Sequence, residues 1–448
     1  MKKVYALIFA FLTLFVLTSC SSSKQKLYLL NWDEYIDEGL LDKFEEEYDC
    51  KVIMEIAESN EIMYSRIKTN SADYDIAIPS DYMISQMAQE NMLKELDFSK
   101  LENFDEENLV PTLKDLIDTD GEQIKKFLVP YFWGSLGIMY NTDDISQEEF
   151  EEKCSLVNNP VLDKILKEEN KEPNGWSILF NKDLEGSIGM YATSRDSIAS
   201  ALLALGYSLN TTDENELKNA EALLKSMNYK GWSTDDLKVG VAGGKYSLAL
   251  VYSGDYIDAL YSLEDISEVN FQMYCPKVNN VFFDAMVIPS TSANTELAYK
   301  FIDFIIKTEV DDEEDEETLS NAYANADAVG YCPTIQSVLD EFLDCVDEYN
   351  SMTKEEQAEV DPLDYYIGIC DQDAYNPSDI PDGEVYQYLG SEVYDLYESI
   401  YKRVKSDTDE EETNVSGYIL IVFVALVAAG VISKIAYDSI SKRKKNRY

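Results

Sequence analysis

Between residues 27 and 92, three short strand-like runs alternate with three helix-like runs, and this alternation restricts the possible folds more than any other feature of the chain. Residues 27–32 and 51–56 and 74–78 are rich in β-formers. After the first strand, Asp37 can cap a helix that puts Leu40, Leu41, Phe44 and Tyr48 on one face. After the second, Ser59 can cap a helix in which Ile62, Met63 and Ile67 recur at helical spacing. Ser80 or Asp81 opens the third, running through Met83, Met87 and Met92. Such a βαβαβ order predicts an open parallel sheet with helices on both faces. A second passage predicts strands at 187–191 and 246–252 with helices at 196–205 and 217–227, so two α/β lobes are expected.

The residue inventory narrows the chemistry. The 448 residues contain 86 Asp and Glu against 37 Lys and Arg, a formal charge of −49, and no histidine. Without imidazole there is no Ser-His-Asp or Cys-His nucleophile and no zinc site built on histidine. The acidic balance excludes nucleic acid as a partner, since phosphate binding draws on clustered Lys and Arg, and makes cations the natural guests. Tyrosine outnumbers phenylalanine 32 to 17, which supplies rings with a polar handle suited to wet clefts. The run 240–247, Gly-Val-Ala-Gly-Gly-Lys-Tyr-Ser, fails as a phosphate loop because Val239 stands where that motif needs glycine, and a turn into the next strand is expected instead.

Both ends carry membrane signals. Residues 1–19 read as a secretory signal, with Lys2 and Lys3 before an apolar run. Leu17-Thr18-Ser19-Cys20 resembles a bacterial lipobox, which implies lipidation at Cys20. Residues 415–433 contain no charge and are long enough to span a bilayer; the basic tail 434–448 then belongs in the cytoplasm, leaving the chain from Cys20 to about Asn414 outside. Residues 406–414 read as an acidic linker, 311–317 as a solvated like-charge run, and 340–382 as an acidic, proline-punctuated insertion. Of seven cysteines, six besides Cys20 lie in the exported part, where bridges and buried thiols are both open readings.

In open α/β sheets ligands gather at the carboxyl ends of strands, which singles out Trp32, Ser80, Thr193, Tyr252 and Asp284. Carboxylates accompany aromatics at these places: Asp33 and Glu34 with Trp32 and Tyr35, Asp81 with Tyr82, Asp196, Asp255 after Tyr252, and Asp284 after Phe282 and Phe283. Singly, each reads as a helix cap or a solvated acid.

Four ordered blocks raise a family: Asn31-Trp32-Asp33-Glu34-Tyr35 within 27–35; Glu58-Ser59-Asn60-Glu61-Ile62-Met63-Tyr64; 74–82 ending Pro79-Ser80-Asp81-Tyr82; and Val129-Pro130-Tyr131-Phe132-Trp133-Gly134. Together they resemble the spermidine/putrescine-binding proteins of polyamine ABC importers, over about residues 25–405. The resemblance implies a periplasmic-binding-protein type II-like α/β fold: lobe 1 from 25–134 and 284–338, lobe 2 from 135–283 and 339–405, a hinge near Gly134 and Phe283, and a cleft holding a linear amine. It implies an aromatic box of Trp32, Tyr35, Tyr82, Tyr252, Phe282 and Tyr331, with Tyr252 and Phe282 in place of tryptophans. It implies a central carboxylate at Asp284, a second acid at Asp196, a hydroxyl contact at Ser80, and a final contact at Tyr386 or Gln387. Thr193 stands where the best-known members carry aspartate, and Asp33 replaces a threonine.

The physics of the ligand fits that set. A polyamine is a string of ammonium groups separated by methylenes, so it needs carboxylates at fixed separations and flat rings between them. Each cation–π contact contributes about 0.5–2 kcal/mol. The expected function is extracytoplasmic capture of spermidine or putrescine for delivery to an ABC permease, with no cofactor, no metal and no bond chemistry. A same-fold receptor for another amine, a metal or a sugar is the alternative, and a tethered hydrolase or a structural remnant of a transporter fusion, its terminal helix docking to other subunits, are readings from other classes.

Overall fold

The computed structural model describes residues 24–406 apart from 121–122, 235, 264–268, 311–318, 358–359, 361–374 and 381. The signal segment 1–19 with Cys20, the acidic run 311–317, Cys370, most of the linker, the apolar stretch 415–433 and the tail 434–448 lie outside the described residues. Among the described residues no helix is long and apolar enough to cross a membrane.

The chain divides into two compact units. Among the described residues, the first comprises those up to Ser135, those in 281–380 and those in 385–388; the second comprises those in 136–280, 382–384 and 389–406. The expected lobe boundaries put 135, 281–283, the described part of 339–380 and 385–388 in lobe 2, whereas they fall in the first unit.

The first unit begins as expected from the alternation. Strand β1 (Gln25–Asn31), helix α1 (Glu38–Glu47), β2 (Cys50–Ile56), α2 (Asn60–Lys68), β3 (Ile76–Ala77) and α3 (Asp81–Gln89) follow in order, and β1 pairs in parallel with both β2 and β3. Both expected caps form: Asp37 accepts from the Gly39 amide and Ser59 from the Ile62 amide, each satisfying a donor that a helix start leaves orphaned. Helix α1 buries Leu40 and Phe44. Phe44 meets Phe301 and Phe304 at ring-centroid distances of 5.0 and 5.3 Å. Helix α3 stops at Gln89, short of Met92. Asp75, fully buried, accepts from the Tyr28 amide (3.1 Å), the Ser292 hydroxyl (2.9 Å) and the Asn294 amide (2.7 Å). A buried carboxylate supplied with this many donors holds the segment leading to Ser80 against β1.

Helix α4 (Pro111–Asp120) precedes β4 (Leu128–Asn141), a strand buried along its whole length. Its first part pairs antiparallel with the later strand β9 (Val278–Val287), from Leu128 opposite Val287 to Ser135 opposite Val281. Within the first unit the strand order is therefore β2-β1-β3-β9-β4, mixed rather than purely parallel, because β9 meets β3 in antiparallel fashion.

In the second unit, α5 (Gln147–Ser155) and α6 (Pro160–Glu169) lead to β5 (Ile188–Tyr191), α7 (Ser194–Ala204), α8 (Glu214–Lys225), β6 (Gly231–Ser233), α9 (Asp236–Ala242), β7 (Leu248–Tyr252), α10 (Ser253–Tyr261) and β8 (Phe271–Tyr274). Its sheet runs β8-β4-β7-β5-β6, with β5 parallel to β6 and β7. The 240–247 run is the end of α9 and a turn at Gly243 and Gly244, as the failed phosphate-loop match implies. Gly240 has a packing role: a Cβ there would collide with the ring of Tyr246, which the unit buries.

Returning to the first unit, α11 (Thr295–Ile305), α12 (Asn321–Val329), the two-residue strand β10 (Cys332–Pro333) against β4, and α13 (Gln336–Ser351) complete the main elements. Gly330 closes α12 at φ 73°, a left-handed position that glycine occupies without a Cβ penalty, and so delivers Tyr331 beside β4. Cys50, Cys154 and Cys345 carry free thiols.

Candidate functional site

In the first unit the site is built where β1 and β3 end. Trp32 follows β1 directly, and its indole Nε1 donates to the Ile78 carbonyl at 2.7 Å, tying the β1 exit to the residues before Ser80. The chain then turns through Glu34 at φ 50° and brings Tyr35 inside. Tyr35 is buried with its hydroxyl donating to Oδ2 of Asp284 at 2.8 Å. Its ring stands edge-on to Tyr331, Phe132 and Tyr131 at 5.1, 5.5 and 5.6 Å, and Phe282 stands edge-on to Tyr331 at 6.2 Å. Such edge-to-face packing orients the rings as well as burying them.

Asp284 is 5% exposed, and its second oxygen, Oδ1, finds no hydrogen-bond partner among the described residues. Burial pushes its carboxyl up to about 6, a rise that the hydroxyls of Ser80 and Tyr35 only partly offset. Burial likewise drives the Tyr35 phenol well above its ordinary range, with the neighbouring Asp284 adding to the rise. Burial also raises the Tyr131 phenol. Tyr35 therefore stays a neutral donor. Asp284 corrects one expectation: it lies inside the antiparallel strand β9, opposite Phe132, and not beyond the carboxyl end of a strand. It comes to the site through an isolated bridge to Ser80, which places it beside the β3 exit.

Ser80 occupies the N-cap position of α3 but makes no side-chain cap bond. Its hydroxyl accepts from Asn60 at 3.0 Å. Asp81 is buried and accepts from the Phe283 amide at 3.3 Å, so it serves β9 as well as its own helix. Tyr82 donates to Glu61 at 3.0 Å and stands edge-on to Tyr386 at 5.8 Å. Of the two residues left open near the end, Tyr386 is buried and Gln387 exposed. Asp33 is also exposed.

The remaining expected residues meet in the second unit. Thr193 caps α7, accepting from the Asp196 amide at 3.2 Å and donating its hydroxyl to the Asp196 carboxylate. The Tyr252 hydroxyl donates to Asp196 Oδ1 at 2.7 Å, and the Tyr252 ring stands edge-on to Tyr191 at 5.3 Å. Asp255 in turn accepts from the Tyr252 amide at 3.2 Å. Thus Thr193, Asp196 and Tyr252 form one group and Ser80, Tyr35, Asp284, Phe282 and Tyr331 another, with Tyr82 and Tyr386 paired beside the latter.

Sequence reasoning names no role for Tyr131, Phe132, Asn60 or Glu61, all of which touch expected site residues. Each lies within one of the four motif blocks, and that membership is the signal that could have found it.

Comparisons with known proteins agree with this architecture. The profile of a family described as bacterial extracellular solute-binding protein matches residues 39–340. The spermidine/putrescine-binding periplasmic protein of Escherichia coli is 31% identical over 288 residues, covering 63% of this chain and 73% of its own. The spermidine/putrescine-binding periplasmic protein 1 of Haemophilus influenzae is 30% identical, covering 68% of this chain and 81% of its own. Among solved structures, a putative spermidine/putrescine ABC transporter from Listeria monocytogenes superimposes with a TM-score of 0.64 at 30% identity, over 85% of this chain and 99% of that one. The fold is the mixed α/β fold of these binding proteins, and the role is solute binding outside the cytoplasm rather than catalysis. The chain belongs to the bacterial extracellular solute-binding protein family.

Proposed function

We propose that this protein captures spermidine or putrescine outside the cytoplasm and hands it to the permease of an ABC importer. The observation that carries this reading is Asp284: a buried carboxylate bonded to Tyr35, whose ring packs on Tyr331 and through it on Phe282, with one oxygen lacking any partner among the described residues. Leaving a buried charge unanswered costs several kcal/mol, roughly, unless a guest supplies the countercharge. An ammonium group does so, and its methylene chain lies against ring faces at about 0.5–2 kcal/mol per cation–π contact. Asp196, with Tyr252 and Thr193, is the acid for another ammonium. Trp32, Ser80, Tyr82 and Tyr386 complete the ligand set, with Asp33 and Gln387 at its exposed margin. The names of the E. coli and H. influenzae relatives support the choice of ligand. Lipidation at Cys20 and the span at 415–433 would hold the protein by both ends at the outer face of the cell membrane, with 434–448 in the cytoplasm.

Calorimetry on the detergent-solubilised full-length chain tests this. Putrescine or spermidine should bind, and Asp284→Ala should remove most of the affinity. Micromolar binding retained by that variant overturns the site. Metabolic lipid labelling that survives Cys20→Ala overturns the anchor.

A further inference from the structure

The block Glu58-Ser59-Asn60-Glu61-Ile62-Met63-Tyr64 stands out in sequence, yet none of its residues belongs to the ligand set. In the structure it forms the N-terminal turns of α2, capped by Ser59. Two of its side chains reach the start of α3. Asn60 makes a reciprocal pair with Ser80: its Nδ2 donates to the Ser80 hydroxyl at 3.0 Å, and its Oδ1 accepts from the Ser80 amide at 3.0 Å. Glu61 accepts from the Tyr82 hydroxyl at 3.0 Å. Tyr82 and Tyr386 meet edge-on. The same helix sends Tyr64 and Lys68 to Glu90 at the end of α3, so α2 grips α3 at both ends.

We propose that the first turn of α2 is a positioning element of the ligand site, with Asn60 orienting Ser80 and Glu61 orienting Tyr82; this rests on the polyamine reading above. The local chemistry gives each bond a direction. With Asn60 donating to it, the Ser80 oxygen already serves as an acceptor, so its own proton is left to point at another acceptor; the backbone bridge sets Asp284 beside it, and the Ser80 hydroxyl is one of the groups that bond its carboxyl. With Glu61 accepting the hydrogen bond from the Tyr82 hydroxyl, the phenol is held in one rotation and its ring in one plane. Glu61 acts through Tyr82 and not as a ligand itself.

A double-mutant cycle separates positioning from direct contact. Spermidine affinity of the full-length protein is measured for Glu61→Ala, Glu61→Gln, Tyr82→Phe and the Glu61→Ala/Tyr82→Phe double variant. Glu61→Ala should weaken binding by about tenfold, the scale of one hydrogen bond to a charged group. Glu61→Gln, which keeps the acceptor, should recover most of that loss, and the double variant should bind no worse than Tyr82→Phe. Additive losses, or a Glu61→Gln variant as weak as Glu61→Ala, overturn the positioning role, the second by making the charge itself the contact. Unfolding midpoints of the same four proteins without ligand read the Glu61–Tyr82 bond independently. Coupling in those midpoints together with a wild-type protein that binds no polyamine would defeat the functional reading and this role with it. Polyamine binding by the wild type with additive affinity losses defeats this role alone.

Discussion

Two carboxylates, equally hidden, are treated in opposite ways by the two units. Asp284 and Asp196 are each 5% exposed. Asp196 stands in the first turn of α7, where its amide is capped by Thr193 and its oxygens take the hydroxyls of Thr193 and Tyr252. Asp284 stands mid-strand, receives Tyr35 on one oxygen, and has an Oδ1 without a partner among the described residues. A helix start brings donors to an acid automatically; a strand interior brings none, because its amides are spent on the ladder. The difference teaches that burial alone does not mark a binding residue. What marks one is a buried charge whose solvation the fold leaves incomplete.

The widest separation between the two acids should come from paired amide substitutions. Asp284→Asn should cost at least about 100-fold in spermidine affinity, the scale of removing one partner from a buried charge pair. In the ligand-free protein the same change should raise the unfolding midpoint, since it deletes an uncompensated charge. Asp196→Asn should lower that midpoint, and a rise there would erase the contrast. Next in size is the response to pH. Because the folded-state carboxyl of Asp284 titrates at about 6, above the usual range near 4, its contribution to stability is present at low pH and is lost as pH rises through that window. Ligand affinity should run the other way, falling about tenfold per pH unit below about 6. The difference between wild type and Asp284→Asn isolates both trends from the other acids, and parallel curves for the two proteins would refute them. Tyr35→Phe removes one donor from Asp284 and should weaken binding by about tenfold while moving the affinity midpoint to higher pH, measurable by calorimetry at several pH values. Smallest of all, Asp33→Asn should change affinity by less than about threefold, because an exposed charge is screened by solvent. A tenfold loss would bring Asp33 into the inner ligand set.

Much of the first unit is legible in the order of its residues. The period of the apolar positions gives the βαβαβ order, and Asp37 and Ser59 stand at helix starts because capping is a local transaction between a side chain and an amide two or three residues on. Trp32, Ser80, Thr193 and Tyr252 stand where the rule about strand ends puts them, since all four follow or end parallel strands. Asp284 is singled out by the same rule for the wrong reason. Its strand inserts antiparallel between β3 and β4, a pairing across about 150 residues of sequence that no local pattern announces. The partners of Tyr35 are hidden likewise: Tyr131 and Phe132 come from β4, Asp284 from β9 and Tyr331 from the end of α12.

From the sequence alone follow the class of fold, the exclusion of histidine chemistry, the expectation of a cationic guest, and the residue types that would meet one. These depend on composition and on short-range periodicity, which survive in a linear string. Only tertiary structure decided which acid is answered and which is left waiting, because that depends on what strands and helices distant in sequence bring within hydrogen-bond reach.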